Sequence, residues 1–415
     1  MKRIIIAFLL LAVSFPLFAQ FEVSGVIRPR FEYRNGYKTL RDSNTTMAAF
    51  VGQRTRLSFK YTNDKLKTGI TLYDFRVWGD QQLKSDQASM GIYEAWAEIS
   101  LSKQFSLKVG RQDFKYDNSR LISPVNWNQI GAAHDAALLK YRKSGLEIDF
   151  AMAYNQAEQN NFGTDYSALI NNYKSLNFLW MNKEFGRFNL ASLSILDSYQ
   201  KEGTSNVNYV RFTSGGIMKY KQDSWGLDLR GFYQMGRNRN GQEIDAYYLN
   251  GDINAKLNDK IKLVVGAEVM SGNDAVDSLN TVDNAFDIVL GGRHKFNGRI
   301  DYFSVPSTTA NSGLINPYLR FKFQCNEKSE LLLEYHYFML YNNYISGSNV
   351  MKKELGHEVD LTYKRKISGD VALEVGYAMI FASETTEMIK SGDKSLYNNW
   401  AYVMLTISPR FFKSK

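Results

Sequence analysis

The chain has 415 residues and a formal net charge of +9, with 26 Tyr, 26 Phe, 6 Pro and 1 Cys. So few prolines suit a chain in which most residues donate a hydrogen bond to a sheet, and the single Cys325 excludes a disulfide framework. The modest basic excess permits an anionic solute without requiring one, and we expect no nucleic-acid partner.

The N-terminus has the pattern of a secretory signal peptide. Lys2 and Arg3 precede the apolar stretch 4–13, and the small residue Ala19 follows the helix-breaking Pro16. The apolar stretch is shorter than the ~20 residues that a membrane-spanning helix needs. We therefore expect residues 1–19 to be a cleaved signal peptide and residues 20–415 to form the mature protein.

The average hydropathy of the chain conceals an alternating pattern. A mean hydropathy of −0.35 is typical of a soluble protein. A transmembrane β-barrel has a similar average, because lipid-facing and lumen-facing residues alternate along each strand. The aromatic content of 14% suits the aromatic girdles that such a barrel places at its two membrane interfaces.

The first two predicted strands show this alternation clearly. Residues 21–34 and 51–62 both carry apolar side chains at one parity and charged side chains at the other. Successive side chains of a strand point to opposite faces, so each strand has an apolar face and a charged face. A soluble β-sandwich would not bury such a charged row, and we regard it as a weaker alternative.

The connections between predicted strands alternate in length. Tight turns are predicted near residues 63–64, 102–103, 143–145, 185–186, 222–224, 258–259, 326–328 and 368–370. Longer stretches are predicted at 35–49, 79–90, 113–131, 156–172, 199–205, 237–242, 272–312, 342–353 and 383–395. Eight turns and nine loops predict an all-β fold, a transmembrane antiparallel up-and-down β-barrel of about 18 strands. The short turns are expected to be periplasmic and the long loops extracellular, around an aqueous lumen.

The polar face of the predicted strands supplies candidate pore-lining residues. The basic candidates include Arg28, Arg30, Arg34, Arg54, Arg56, Arg76, Arg320 and Lys322, and the acidic candidates include Glu32, Asp74 and Glu94. Guanidinium groups bind carboxylates in bidentate fashion, so an arginine-rich wall favours polyanions or sugar acids. The alternative is that these charges pair across the lumen and only stiffen the wall. Arg111 shares its parity with apolar residues and would face lipid unless it lies at a strand end or beyond a bulge.

Residues suited to catalysis or metal binding are sparse. The four His residues lie in no sequence that resembles a nucleophile elbow or a membrane phospholipase motif. Paired cysteines, zinc-like His spacing and EF-hand spacing are absent from the sequence. We therefore expect no enzyme activity, no metal site and no cofactor.

Several short motifs resemble the alginate export family of outer-membrane porins. They are Arg28-Pro29-Arg30-Phe31-Glu32, Gln53-Arg54-Thr55-Arg56, Asp74-Phe75-Arg76, Glu94-Ala95-Trp96, Gly110-Arg111-Gln112, Asp117-Asn118-Ser119-Arg120-Leu121, Trp127, His134-Asp135-Ala136, His294-Lys295-Phe296-Asn297-Gly298, Asp301 and Gly313-Leu314. The resemblance runs from about Phe21 to the last strand. It implies an eighteen-stranded pore with an arginine-rich constriction for an anionic polysaccharide. By that resemblance the selectivity residues are Arg30, Arg54, Arg56, Arg76, Arg111 and Arg320, balanced by Glu32, Asp74 and Glu94.

The stretch 272–312 is far longer than a hairpin requires. It mixes apolar residues with the charged or titratable residues Arg293, His294, Lys295, Arg299 and Asp301, so it is too hydrophobic for a solvated linker. We predict that this stretch folds into the barrel mouth, narrows the pore and adds cationic groups there. The alternative is a hairpin that projects from the rim.

These features predict an integral protein of the outer membrane of a Gram-negative bacterium, with membrane lipid and an anionic or polar saccharide as its partners. The leading hypothesis is selective export or diffusion of that saccharide through the lumen. A general or sugar-uptake porin of the same fold is the main alternative. An outer-membrane enzyme or adhesin is a further alternative, suggested by the Asn and Ser content of the loops. The sequence leaves the solute, the direction of transport and the oligomeric state open.

Overall fold

In a computed structural model, most of the chain forms one antiparallel sheet. The structure describes residues 19–84, 89–166, 172–201, 203–204, 207–277, 279–288 and 290–414. The predicted signal peptide, residues 1–19, lies outside the described residues except for Ala19.

The strands are defined by the following bounds: β1 (Gln20–Asn35), β2 (Ala48–Thr62), β3 (Leu66–Val77), β4 (Gly91–Ser100), β5 (Phe105–Gln112), β6 (His134–Lys143), β7 (Leu146–Tyr154), β8 (Ser175–Phe185), β9 (Phe188–Gln200), β10 (Asn208–Lys221), β11 (Trp225–Arg237), β12 (Glu243–Lys256), β13 (Ile261–Met270), β14 (Leu314–Asn326), β15 (Ser329–Met339), β16 (Ile345–Ser346), β17 (Asn349–Val350), β18 (Glu354–Lys366), β19 (Val371–Ala382), β20 (Asn398–Ile407) and β21 (Arg410–Lys413). A 3₁₀ helix (Pro306–Thr309) and helix α1 (Glu384–Lys390) lie in the connections. No helix within the described ranges has the length and apolar character that a membrane span needs.

The sheet closes into a barrel because its last strand pairs with its first. Each wall strand is antiparallel to the next, and β1 pairs with both β20 and β21. The segments β20 and β21 are one wall strand interrupted at Ser408 and Pro409, where the Gly25 N–H donates to the Pro409 carbonyl at 2.9 Å. The described residues thus form a closed wall of eighteen strands, which confirms the prediction. The small β16–β17 hairpin stands apart from this wall.

Short and long connections lie at opposite ends of the barrel, because consecutive strands are antiparallel. Among the described elements, the eight short turns fall between β2 and β3, β4 and β5, β6 and β7, β8 and β9, β10 and β11, β12 and β13, β14 and β15, and β18 and β19. The other nine connections are the longer ones. The predicted alternation is confirmed, with boundaries that differ by a few residues. Outer-membrane barrels place such short turns in the periplasm.

The outer face of the wall is apolar. Leu249 and Ile253 on β12 are 50% and 53% exposed, as expected for side chains that face lipid. Aromatic side chains ring the short-turn end, where Phe105 lies 4.9 Å from Tyr141 and Phe188 lies 4.7 Å from Tyr220, measured between ring centroids. These rings form one of the interfacial girdles that the composition predicts.

Two clusters of buried apolar side chains fill part of the lumen. The first combines residues of the connections 113–133 and 271–313 with β6 to β12, and includes Phe114, Ile122, Phe178 and Phe286. The second lies against β14, β15 and β18 to β20, and includes Ile300, Tyr302, Phe338 and Trp400. The connections 113–133 and 271–313 contribute residues to these clusters, so both fold inward and shape the space that remains.

Candidate functional site

The connection 113–133, here called the first inward loop, crosses the lumen. It leaves the wall at β5, and its buried Arg120 reaches Glu268 on β13, with Nε 2.6 Å from Oε1. Arg120 also donates to the Gly292 carbonyl at 3.0 Å. The two buried side chains are both hydrogen-bonded, and their ion pair fixes this loop against the opposite wall.

Three predicted pore arginines hold the other end of the first inward loop. Arg28 donates to the Asn126 carbonyl at 2.9 Å and to Oε1 of Gln129 at 2.8 Å. Arg54 donates to the carbonyls of Gln129, at 2.5 Å, and of Asn128. Arg56 donates to the Ile130 carbonyl at 2.8 Å. The buried Gln129 carbonyl needs a donor, and the bonds of all three arginines anchor the loop while the guanidinium groups also carry charge.

Arg30, Glu32 and Arg34 form an ion-pair row on β1. The buried Glu32 carboxylate lies 2.7 Å from Nη2 of Arg30 and 2.8 Å from Nη2 of Arg34. It also accepts a hydrogen bond of 3.1 Å from Nε1 of Trp400. The Arg34 side chain is 34% exposed. This row lines the lumen, as the alternation predicts.

The connection 271–313, here called the second inward loop, lies inside the barrel rather than projecting from its rim. The Arg299 guanidinium is 2.6 Å from Glu334 on β15. The backbone N–H groups of Arg299 and Ile300 donate to Glu358 on β18 at 2.5 and 2.9 Å. Ile300, Tyr302 and Phe303 are fully or almost fully buried. Ion pairs and apolar burial therefore both hold the loop in the lumen.

The two inward loops meet at Trp127 and His294. Their rings are stacked with centroids 4.0 Å apart, and the Arg30 guanidinium lies 4.2 Å from the Trp127 centroid. Burial lowers the pKa of His294. The ring nitrogen Nδ1 of His294 lies 3.1 Å from Oδ1 of Asp301. Burial alone would raise the pKa of Asp301, but His294 and the Tyr37 hydroxyl interact with its carboxylate and hold the pKa below its ordinary value.

A central cavity of about 770 Å³ lies between the inward loops and the wall. Its basic lining residues are Arg28, Arg30, Arg34, Lys38, Lys115, Arg293, Lys295, Arg299 and Lys364, and its acidic lining residues are Glu32, Asp301 and Glu374. Nine basic groups thus face three acidic ones among the described lining residues. A partly enclosed cavity with such an excess concentrates anions.

A second cavity continues from the central one toward the short-turn end. This lower cavity, of about 390 Å³, is bounded by the turns after β14 and β18. It shares Lys364, Glu374 and Met404 with the central cavity, so the two adjoin there. The two cavities together extend from the loop-lined middle of the barrel to its short-turn end.

The other predicted site residues on the inner face do not line the central cavity. Arg76 pairs with Asp74 at 2.8 Å and donates to Ser89 at 3.0 Å, which ties β3 to the following loop. Glu94 accepts the Asp113 N–H at 3.3 Å, at the start of the first inward loop. On the opposite wall, Arg320 pairs with Glu334 at 2.9 Å and Lys322 with Glu330 at 2.5 Å.

The prediction that Arg111 is a pore-lining residue is wrong. Its side chain is 42% exposed and pairs at 2.9 Å with Asp135, which is 65% exposed. Arg111 shares its parity with the exposed Val109, and the register places Asp135 directly opposite. Because the residue lies one position from the end of β5, its guanidinium reaches the outer rim. Arg111 is therefore on the outer surface and does not line the pore.

Several residues that build the site were not among the predicted site residues. The first inward loop contains the buried Phe114, Leu121 and Ile122, an apolar content that could have identified it by the argument used for 272–312. The polar parity of the strands could have identified Lys364 and Glu374. The reach of Arg120 to Glu268 had no sequence signal, because 148 positions separate the two residues.

A closed barrel with an apolar outer face, an aromatic girdle and a charged lumen defines the class: the protein is an integral outer-membrane β-barrel. The sequence matches the alginate export family over residues 20–395. The chain therefore belongs to the alginate export family. No curated protein shows significant sequence similarity to it.

Solved structures share the fold at low sequence identity. OpdL of Pseudomonas aeruginosa is 14% identical and aligns with a TM-score of 0.64 over 94% of this chain and 99% of that chain. OccAB1 of Acinetobacter baumannii is 12% identical, with a TM-score of 0.62 over 94% and 97%. OpdK of P. aeruginosa, solved with vanillate, is 14% identical, with a TM-score of 0.60 over 95% and 99%.

Proposed function

We propose that the protein is an outer-membrane channel for anionic saccharides, which pass through the lumen without a covalent step. The observation that carries this proposal is the central cavity, where nine basic groups face three acidic ones. Sugar acids present carboxylates, which arginine binds in bidentate fashion. Membership of the alginate export family supports the same class of solute.

The arginines divide into two roles under this proposal. Arg30 and Arg34 line the cavity and share one carboxylate, Glu32, so their charge is only partly neutralised. These two residues, with Lys295 and Arg299 of the second inward loop, set the anion preference. Arg54 and Arg56 act mainly through the first inward loop, whose backbone they hold. They define the shape of the passage more than its charge.

A porin for small anions is the second candidate. The inward loops and the two apolar clusters occupy much of the lumen. The fold is shared with OpdK, which was solved with vanillate, a small aromatic carboxylate. Under this alternative the same basic groups select small carboxylates rather than saccharide chains.

Current block in planar bilayers separates the two candidates. Purified protein is reconstituted, and a uronate oligosaccharide is compared with a neutral oligosaccharide of the same length and with vanillate. Concentration-dependent block by the uronate oligomer alone supports the saccharide channel. Block by vanillate without block by the uronate oligomer supports the small-anion porin. An absence of block by every anion contradicts both candidates.

We also propose that residues 1–19 are removed during export. The composition of that segment supports a signal peptide, since Lys2 and Arg3 precede a short apolar stretch. N-terminal sequencing of protein from the outer-membrane fraction tests this, with Gln20 as the expected first residue. A sequence that begins before Ala19 would contradict it.

A further inference from the structure

The central and lower cavities adjoin at a neck formed by Lys364, Glu374 and Met404. These are the described residues that line both cavities, and they lie on β18, β19 and β20. A solute that moves between the two cavities passes their side chains. The neck is therefore a place where charge acts on a solute at short range.

The two charged residues of the neck are direct neighbours across the sheet. The register pairs Lys364 with Glu374, and Nζ lies 3.6 Å from Oε2. Their side chains are 43% and 20% exposed, so both are within reach of a solute in the passage. An exposed pair of this kind is weak, and a competing anion can separate it.

The two partners differ in how firmly they are held. The Tyr402 hydroxyl donates to Oε1 of Glu374 at 2.6 Å. The Tyr402 ring is itself stacked on Trp400, with centroids 4.6 Å apart, in the buried apolar cluster. The carboxylate is thus fixed, whereas the Lys364 ammonium sits at the end of a long, half-exposed stem. The ammonium can turn from Glu374 toward a solute while the carboxylate stays in place.

The surroundings of the neck are positive. Burial lowers the pKa of Lys295 in the second inward loop, and so do the charges of Arg299, Arg320 and Lys364. Arg28 also lines the central cavity, and its guanidinium is close enough to Glu374 to interact with it electrostatically. Glu374 is therefore a carboxylate that offsets an excess of positive charge where the two cavities adjoin.

We propose that Lys364 and Glu374 determine the selectivity of the channel at its neck: Lys364 receives the anionic group of the solute, and Glu374 limits how tightly the neck retains it. Conduction needs a site that binds strongly enough to be occupied and weakly enough to be emptied. When an anion binds Lys364, the fixed Glu374 remains beside it and repels it. Release into the lower cavity returns Lys364 to Glu374. This inference rests on the proposed anionic solute.

Two variants that each remove one charge should shift the reversal potential in opposite directions. Lys364→Gln leaves Glu374 unopposed, so the reversal potential in a KCl gradient shifts toward the cation value. Glu374→Gln keeps an acceptor for Tyr402 and removes the repulsion, so the reversal potential shifts toward the anion value. In that variant the block by a uronate oligosaccharide lasts about fivefold longer, as expected for one unit charge at ~4 Å in water.

Asp259→Asn is the matched control. It also removes one negative charge, and Asp259 pairs with Lys256 at 2.7 Å in the exposed turn after β12, outside the lining of both cavities. Its channel should behave as the wild type does. Folding of each variant is checked by the mobility of the unheated barrel in detergent gels, and comparison is restricted to folded channels.

The results of these experiments can refute the neck proposal and the proposed function separately. If the wild type selects anions while both neck variants behave like Asp259→Asn, the neck proposal is overturned and the proposed function stands. Shifts of the same sign in both variants also overturn it. If the wild type does not select anions but the variants shift in opposite directions, the proposed function fails while the charge control at the neck is supported.

Discussion

The indole ring of Trp127 and the imidazole ring of His294 are stacked with an interplanar angle of 7°, and they join the two inward loops inside the barrel. Each ring belongs to a different loop, and Arg30 of the wall lies over the same indole. The passage is therefore shaped by contact between two segments that are far apart in sequence.

Removing the stack should loosen the passage. Trp127→Ala deletes the stacked pair, worth about 0.5 to 1.5 kcal/mol beyond the buried area, and the cation–π contact with Arg30. We expect higher single-channel conductance and larger current noise than in the wild type. Trp78→Ala, which removes a ring that is 59% exposed in the connection after β3, is the control and should leave both quantities unchanged. Equal conductance of wild type and Trp127→Ala would show that the stack does not restrict the pore.

Loss of the arginines that anchor the first inward loop should expose that loop to protease, whereas loss of an arginine that lines the cavity should change ion selectivity. Neutralising Arg54 and Arg56 together removes donors from the loop carbonyls of Asn128, Gln129 and Ile130, and for the buried Gln129 the loss costs about 1 to 3 kcal/mol. We expect the first inward loop to become sensitive to protease in the folded barrel, as measured by limited proteolysis and mass spectrometry. Arg34→Gln should lower anion selectivity and leave the loop protected. A protected loop in the double variant would contradict the anchoring role.

The two faces of one strand should respond oppositely to a new charge. Leu57→Arg on β2 places a cation in lipid and should cost roughly 2 to 4 kcal/mol near the bilayer midplane, so the yield of folded barrel in lipid falls. Ser58 is the next residue and its side chain faces the lumen, so Ser58→Arg should fold in normal yield. The fraction of heat-modifiable protein measures both variants. Equal yields would contradict the assignment of inner and outer faces.

The second inward loop should obstruct the lumen. Deleting residues 277–310 removes Arg299, which pairs with Glu334, and the backbone donors to Glu358. We expect higher single-channel conductance from the deletion variant if it folds. Deleting residues 345–350, the hairpin β16–β17, is a control that should not change conductance. Unchanged conductance in a folded 277–310 deletion would contradict the proposed constriction.

Anion selectivity should decline as the solution becomes alkaline. Burial lowers the pKa of Lys295 from the model-peptide value of 10.5, and neighbouring cations lower it further. Lys295 therefore loses its charge at a lower pH than an ordinary lysine does. As the pH rises through that lowered pKa, the cavity loses a positive charge and the reversal potential moves toward the cation value. The pH dependence should be weaker in Lys295→Met, and an identical profile would exclude Lys295 as its source.

The barrel could be predicted from the sequence because its signals are local. Alternating parity in β1 and β2, and the turn residues between strands, depend only on neighbouring positions, so the eighteen strands and the order of short and long connections were predicted. The inner-face positions of Arg28, Arg30 and Arg34 followed from the same alternation. The same alternation placed Arg111 on the lipid-facing parity, where the structure has it, and it was the family resemblance that counted Arg111 among the selectivity residues.

The interior of the lumen could not be predicted in the same way. Arg28 bonds a loop that lies 98 positions away, and Trp127 meets a ring 167 positions further along the chain. Such contacts depend on how the loops fold inside the closed wall. Neither the alternation of apolar and polar residues nor the turn residues predict that folding. The apolar content of 272–312 indicated that the stretch packs inward, but it did not identify Glu334 and Glu358 as its partners.

The anion preference of the pore is measured by the reversal potential of the wild-type channel in a KCl gradient at neutral pH. The central cavity presents nine basic and three acidic side chains, so we expect a reversal potential on the anion side of zero. A saturating uronate oligosaccharide should reduce the current, whereas a neutral oligosaccharide of equal length should not. A reversal potential at zero or on the cation side, with no block by the uronate, would contradict an anion-selective channel.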